Sequence, residues 1–391
     1  VQGGEIIAFL FIVGGAFSIV SRTKAIDLGI LKIVNVFKGK EILVLPILMF
    51  MFSIGGATFG MSEEAIAFVA VLMPLVLALG YDSIVAVAIT YLACNLGFSA
   101  AMLNPFTVGI AQSIAGIQLY SGVEFRTLVW FVSTLVGCGF VMFYAMKIKK
   151  NPELSPMFEH DQVKREKLKS TESEHTEFTL RHKIIIAALF TSIALVVYGV
   201  LKLEFWIPQI AAVFLGLGII SGLVGKLAPN EIAEAFTDGA KDMIGAAIMI
   251  GLAKSVMIIA QNANIIDTIL FNLANVVGQL PSLIASYIMF VIQMFINFFV
   301  SSGSGQAALT MPILAPLGDL VGISRQLSVL IYQLGDGFSN AMFPTSGVLI
   351  ACLGMAGVPY GKWLKWILPL QAILFMTAIV FITIASLIGW A

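Results

Sequence analysis

The chain has few charged residues for its length, and very few cysteines and histidines. Of its 391 residues, 11% are charged, three are cysteine and three are histidine. Hydrophobic residues make up 59%, and the mean hydropathy is +0.99. A soluble core could not hide so much apolar surface. Composition therefore predicts an all-α protein that spans a lipid bilayer several times, and nothing in it supports nucleic-acid binding.

The rare cysteines and histidines exclude several kinds of site. The cysteines lie in apolar stretches without a C-x-x-C spacing, so we expect small buried residues and no disulfide or metal ligand: Cys94, Cys138 and Cys352. The histidines fall in or beside one polar segment, where we expect them at the surface: His160, His175 and His182. We predict no cofactor beyond a coupling ion, Na⁺ or H⁺.

The chain repeats itself at an offset of about 240 residues. The run from Gly97 to Met102 returns as Gly337 to Met342, and each copy is followed by a proline, Pro105 or Pro344. We therefore expect two repeats, 1–146 and 241–391, joined by a linker at 147–182 and connecting helices at 183–240. Duplicated broken helices in an apolar chain are typical of secondary transporters.

Two stretches of each repeat differ from a simple span. Residues 42–79 and 283–321 are pairs of apolar arms around a polar tip, and we predict re-entrant hairpins there. Residues 82–118 and 325–357 carry glycine, proline and amides in mid-span, and we predict broken helices. Simple spans are expected at roughly 4–21, 124–146, 183–201, 206–225, 242–260 and 361–389.

Basic residues indicate the orientation of the chain. With the 22–40 loop in the cytoplasm, 18 of the 22 Lys and Arg residues fall in predicted inner segments, including a solvated linker at 147–182. The chain then crosses the membrane five times between the starts of the two repeats. Because five is an odd number, the second repeat starts on the opposite side and is inverted relative to the first. The chain also begins at a valine within an apolar segment, so we expect a missing N-terminal helix or, alternatively, a cleaved signal peptide.

The chemistry is expected at the hairpin tips and helix breaks. Helix N-termini at the tips can hold an anion, and broken helices free carbonyls for cations. The predicted substrate-binding residues are Ser62, Glu63, Glu64, Ser99, Asn104, Pro105, Ser302, Gly303, Ser304, Gly305, Gln306, Asp336, Ser339, Asn340, Thr345 and Ser346. A Na⁺ site near Gly60, Asn104, Ser301 and Asn340 is a further hypothesis.

A carboxylate at membrane depth needs a partner for its charge, because placing an unpaired carboxylate in the bilayer costs at least about 2.5–3.5 kcal/mol of free energy. Glu63 and Glu64 at the first tip are interpreted either as tip caps or as substrate or proton ligands. Asp336 belongs to the same group. Lys254, the one basic residue predicted deep in a span, is a candidate ion-pair partner.

At these residues the sequence resembles the C4-dicarboxylate anaerobic carrier family of the ion transporter superfamily. The resemblance covers the whole chain and is carried by four runs: 60–65 with Pro74, 97–99 with 104–105, 302–312 and 335–339. It implies a homodimer in the bacterial inner membrane, with a scaffold and a moving transport domain, and thus an elevator mechanism.

The family includes carriers of dicarboxylates and of basic amino acids, so the resemblance leaves the substrate open. The predicted site has carboxylates and no arginine that could grip a dicarboxylate, which favours an amino acid. A C4-dicarboxylate carried with Na⁺ or H⁺ is the alternative. A channel is less favoured, and a serine hydrolase lacks both a G-x-S-x-G motif and a histidine at membrane depth.

Overall fold

The computed structural model describes residues 2–26, 28, 41–173, 179–203, 205, 207–263 and 280–390, with single residues at 265, 268, 272, 277 and 278. Every regular element in these residues is a helix, as composition predicts. Four helices are long and apolar enough to cross a membrane: Val123–Lys150, Ile207–Val224, Ser282–Phe299 and Tyr360–Leu387. The chain is an integral membrane protein.

The described residues of the first half of the chain, 2–26, 28 and 41–150, contain six helices. They are α1 (Gln2–Arg22), α2 (Glu41–Phe59), α3 (Glu64–Ala78), α4 (Ser83–Val87, the π-helical Ala88–Leu92 and Ala93–Ser99), α5 (the π-helical Pro105–Gly109 and Ile110–Ala115) and α6 (Val123–Lys150). Asp82 caps α4 by accepting a hydrogen bond from the Val85 main chain. Gly116, with φ 68°, ends α5 in the left-handed conformation that glycine adopts without strain.

The middle and second half continue the helical pattern. They contain α7 (Phe158–Ser173), α8 (Leu180–Lys202), α9 (Ile207–Val224), α10 (Pro229–Asp242), α11 (Ile244–Asn262), α12 (Ser282–Phe299), α13 (Gly303–Leu320), α14 (Arg325–Asn340), α15 (Gly347–Ala356) and α16 (Tyr360–Leu387). Helices are thus interrupted between α2 and α3, α4 and α5, α12 and α13, and α14 and α15. These interruptions are the four places where the sequence carries its glycine-rich and polar runs.

The described helices form two groups. A peripheral bundle contains α1 and α8 to α11, with α1 lying against α9, α10 and α11. A central bundle contains α2 to α6 and α12 to α16. In the central bundle α2 packs on α4, and α12 packs on α14. The helices α2 and α3 form one hairpin, and α12 and α13 form the other. The second helix of each hairpin packs on a helix from the other half of the chain: α3 packs on α15, and α13 packs on α5.

Glycines allow close packing at two helix contacts, that of α2 with the broken helix α4 and that of α12 with the broken helix α14. A Cβ at Gly97 of α4 would overlap the main-chain oxygen of Ser53 on α2. A Cβ at Gly335 of α14 would lie 2.6 Å from the Gln293 Cβ on α12. Both broken helices therefore use glycine at the same kind of contact.

The open ends of the two hairpins, where α3 and α13 end, lie near opposite ends of α6. Lys149, near the end of α6, donates to the main-chain oxygen of Leu79, where α3 has just ended. Arg126, near the start of α6, donates to Gln326, just after α13 has ended. These two points on α6 are roughly 35 Å apart at 1.5 Å per residue.

Part of the predicted solvated linker is buried. Asp161 on α7 is fully buried, and its carboxylate accepts from the Ser83 main chain at 2.7 Å and from the Lys164 ammonium at 2.9 Å. Lys164 also donates to the Ser83 hydroxyl and the Ala356 carbonyl, both at 2.8 Å. The prediction of solvation is therefore wrong for these residues, because α7 docks on α4 and α15. His160 is exposed as predicted, while His175 lies outside the described residues.

Candidate substrate-binding site

A cavity of about 140 Å³ lies between the two bundles. From the peripheral bundle and the segment before α9 it is lined by Glu5, Phe205, Ile207 and Ile210. The central bundle contributes Gly60, Met61, Ser62, Glu63, Glu64, Tyr91, Cys94, Asn95, Phe98, Phe106, Ser301, Ser302, Gly303, Ser304, Asn340, Ser346, Gly347 and Val348. Both hairpin tips and both broken helices therefore meet at one cavity.

The first tip is built around Gly60 and Glu64. Gly60 has φ +77°, a conformation that glycine adopts without strain, and this reverses the chain after α2. Glu64 is 6% exposed, and its Oε2 accepts from the Ser62 main chain at 3.0 Å. That bond occupies one oxygen of Glu64 within the tip.

The second tip is held by hydrogen bonds to α14 and to the second helix break. The Ser301 hydroxyl donates to the Thr345 carbonyl at 2.7 Å, and the Tyr332 hydroxyl donates to the Gly303 carbonyl at 2.6 Å. A Cβ at Gly303 would lie 2.8 Å from the Thr107 Cγ2 and 3.0 Å from Phe98. The tip therefore packs directly on α4 and α5.

The first helix break is fixed by Asn104. Its Oδ1 accepts from the Phe106 main chain at 2.8 Å and caps α5. Its Nδ2 lies 3.4 Å from the Gly56 carbonyl on α2. Asn104 is thus a buried structural link between the break and the first hairpin, and Pro105 begins α5 beside it.

The charge of the cavity is one-sided. Its charged lining residues, among those described, are three glutamates, Glu5, Glu63 and Glu64. The N-termini of α3, α13 and α15 also open onto it, through Glu64, Gly303 and Gly347. Main-chain N–H groups at helix starts carry partial positive charge. The cavity therefore offers sites for cationic groups and, separately, for a carboxylate.

The structure brings only some of the predicted site residues to this cavity. The lining residues are Ser62, Glu63, Glu64, Ser302, Gly303, Ser304, Asn340 and Ser346. The residues that do not line it are Ser99, Asn104, Pro105, Gly305, Gln306, Asp336, Ser339 and Thr345. Of the suggested Na⁺ ligands, Gly60, Ser301 and Asn340 line the cavity, and the ion stays a hypothesis. The Lys254 side chain lies outside the described residues.

Sequence reasoning missed Glu5 and Arg126. Glu5 reaches the cavity from α1. Arg126, at the start of the predicted span 124–146, is fully buried in α6 and donates to Gln333 at 2.6 Å and Gln326 at 3.3 Å. Its guanidinium also lies over the Trp390 ring, 5.3 Å from the centroid. The available signal was the pair Gln326 and Gln333, which lie on one face of α14 at a spacing of seven.

Comparison with known proteins agrees with this architecture. The family described as "DcuC: C4-dicarboxylate anaerobic carrier" matches residues 1–387. The Escherichia coli (strain K12) protein named "Putative basic amino acid antiporter YfcC" is 43% identical over 396 residues, covering 98% of this chain and 78% of that protein. An uncharacterised Haemophilus influenzae protein is 33% identical over 378 residues, covering 96% and 74%.

A solved structure shares the fold. The YdaH transporter of Alcanivorax borkumensis, whose topology is described as unusual, aligns with a TM-score of 0.50 and 16% identity. The alignment covers 100% of this chain and 87% of that one.

Proposed function

Because this chain belongs to the C4-dicarboxylate anaerobic carrier family and is a secondary transporter, we propose that it carries basic amino acids such as arginine. The single observation behind this choice is the charge of the cavity, where three glutamates face the cavity together with helix N-termini. A basic amino acid matches both features: its carboxylate fits the helix N-termini, and its two cationic groups fit the glutamates.

The competing substrate is a C4-dicarboxylate, as the family description suggests. Such a molecule would bring two negative charges into a cavity lined by three carboxylates. The buried guanidinium of Arg126 is bound to two glutamines and does not line the cavity. This arrangement favours the cationic substrate.

The proposed mechanism is an elevator in a homodimer of the bacterial inner membrane. The peripheral bundle is the scaffold, and the central bundle moves with the substrate. Two observations support this division: the cavity lies between the bundles, and the two hairpins open toward opposite ends of α6. The second observation also supports an inverted repeat.

Counterflow in proteoliposomes tests the substrate. The full chain is loaded with unlabelled arginine, lysine, ornithine or succinate, and uptake of labelled arginine is followed with and without Na⁺ and proton gradients. We expect saturable uptake driven by internal basic amino acids. Exchange of succinate in preference to arginine would overturn the substrate assignment.

A further inference from the structure

Asp336 is an acidic residue that does not line the substrate cavity. It lies in the C-terminal third of α14, is fully buried, and neither of its side-chain oxygens has a hydrogen-bond partner. An unpaired, charged carboxylate in such a place is costly. Its charge therefore has to be cancelled by a bound cation.

The buried side chains of α12, α13 and α14 leave more acceptors than donors without a partner. Asn297 on α12 uses its Nδ2 to contact the main-chain oxygen of Asp336 at 2.8 Å, and Gln306 on α13 uses its Nε2 to contact the Gln293 carbonyl at 2.9 Å. Because each nitrogen faces a main-chain oxygen, the orientation of each amide is fixed. On α12, α13 and α14, the buried side-chain atoms left without partners are Asn297 Oδ1, Gln306 Oε1, both Asp336 oxygens and one donor, Gln293 Nε2.

Other nearby donors are already engaged. The Ser339 hydroxyl donates to the Gly335 carbonyl at 2.8 Å, and the Tyr332 hydroxyl donates to the Gly303 carbonyl at 2.6 Å. Gln333 donates to the Ala101 carbonyl at 3.0 Å. A protonated carboxyl group would supply the kind of donor that this cluster lacks.

Charged and titratable groups on the elements around α14 do not neutralise Asp336. On α14 and its described neighbours these groups are Arg325, Tyr332, Tyr91, Cys94, Tyr287, Asp319, Tyr360, Lys362, Lys365 and, from α6, Arg126. Among the described residues, none of the cationic ones lies within ion-pair distance of Asp336. Arg126 binds Gln333 instead, and Arg325 binds Asp319 at 2.8 Å.

We propose that Asp336 is a proton-binding site, separate from the substrate cavity, and that it holds its proton in the conformation described. The proton comes from water on one side and is released to water on the other when the central bundle changes position. This inference rests on the proposed transport function and adds the proton as the second transported ion.

Two neighbours of Asp336 link this part of α14 to the cavity: Asn297, which contacts its main-chain oxygen, and Tyr332, which lies on the same helix. The Asn297 amide nitrogen contacts both the Asp336 carbonyl and, at 2.9 Å, the Oδ1 of Asn340, which lines the cavity. Tyr332, one turn before Asp336, holds the Gly303 carbonyl at the second tip. A change of charge at Asp336 would therefore act on residues that contact substrate.

Infrared difference spectroscopy tests the bound proton without any substrate. The purified full chain at neutral pH should show a carboxylic-acid carbonyl band that disappears in Asp336→Asn and remains in the control Asp319→Asn. Asp336→Glu should restore a shifted band. An identical band in wild type and Asp336→Asn would overturn the proposal. So would a band that appears only after Na⁺ is removed, since Na⁺ would then be the bound cation.

Arginine binding measured against pH tests the coupling. One linked proton changes the affinity by up to about tenfold per pH unit. We expect such a slope in wild type and in Asp319→Asn, and its loss in Asp336→Asn. A slope that survives in Asp336→Asn, or no slope in wild type, contradicts the proposal. Failure of wild type to bind arginine at any pH would instead refute the proposed substrate and leave the infrared result standing.

Discussion

The Arg126 guanidinium donates to the side-chain oxygen of Gln333 at 2.6 Å, across the contact between α6 and α14. Gln333 in turn donates to the Ala101 carbonyl in the first helix break at 3.0 Å. One buried cation thereby joins the second broken helix to the break in the first. Its partners are neutral amides and an aromatic ring, so the link holds the helices together without a buried ion pair.

Replacing Arg126 with methionine should destabilise the protein. The change leaves the Gln333 oxygen buried without a donor, and losing a charged hydrogen bond of this kind costs about 1.5–3 kcal/mol. Thermal unfolding of the purified protein in detergent measures the effect. Arg181→Met, at an exposed position in the first turn of α8, is the control. Equal unfolding temperatures for the two variants would contradict the structural role.

The sequence predicted the helical membrane fold because hydropathy and helix-breaking residues are local properties. The interruptions at Gly60, Asn104, Ser302 and Thr345 follow from glycine, proline and amide runs that can be read directly. Buried contacts between distant segments could not be read in this way. Asp161 and Lys164 form part of a polar stretch, and only their contacts with Ser83 and Ala356 bury them.

The site was predictable as a set of segments but not residue by residue. Glu63 and Asp336 are both acidic residues predicted to bind substrate, yet only Glu63 lines the cavity. The side of α14 that faces the cavity depends on how α12 and α13 pack around it. That packing involves residues about 30–40 positions away in the chain, which a pattern of 3.6 residues per turn does not specify.

Neutralising the cavity glutamates should weaken the binding of arginine. Glu5→Gln and Glu63→Gln each remove a charged partner for a cationic group, so we expect a roughly ten- to hundredfold rise in Kd. The control is Glu234→Gln on the exposed side of α10. Affinities are measured by binding of labelled arginine to the purified protein. Normal arginine affinity in both variants would refute the amino acid assignment.

Cysteine accessibility should show that the two hairpins open on opposite sides of the membrane. Asn151→Cys lies next to the end of the first hairpin, and Leu320→Cys lies at the end of the second; both positions are exposed. The native cysteines are buried and should react slowly. An impermeant thiol reagent added to intact cells or to inverted vesicles should label one variant from each side. Labelling of both from the same side would exclude the inverted repeat.

Adding a methyl group at the second tip should impair transport without unfolding the protein. In Gly303→Ala the new Cβ would press on Thr107 and Phe98, so the tip must shift away from α4 and α5. We expect uptake of labelled arginine to fall by about tenfold or more, which corresponds to about 1.4 kcal/mol or more. Gly139→Ala, where the new methyl meets no atom within 4 Å, is the control. Serine lacks the methyl group of Thr107 that the new Cβ would meet, so adding Thr107→Ser should restore part of the activity of Gly303→Ala. Unchanged uptake in Gly303→Ala alone would show that the position of the tip does not matter for transport.

Removing the Lys164 ammonium should loosen the attachment of α7 to the central bundle. This ammonium contacts Asp161, Ser83 and the Ala356 carbonyl, and it therefore ties the start of α4 to the end of α15. Lys164→Met leaves the buried Asp161 carboxylate without its cation, and we expect a loss of about 1–3 kcal/mol of stability. Asp161→Asn combined with Lys164→Met should be less destabilised than Lys164→Met alone, because the double variant has no unpaired charge. Thermal unfolding is compared with that of Lys150→Met at the exposed end of α6. If Lys164→Met unfolds at the same temperature as this control, α7 is not held by its buried ion pair.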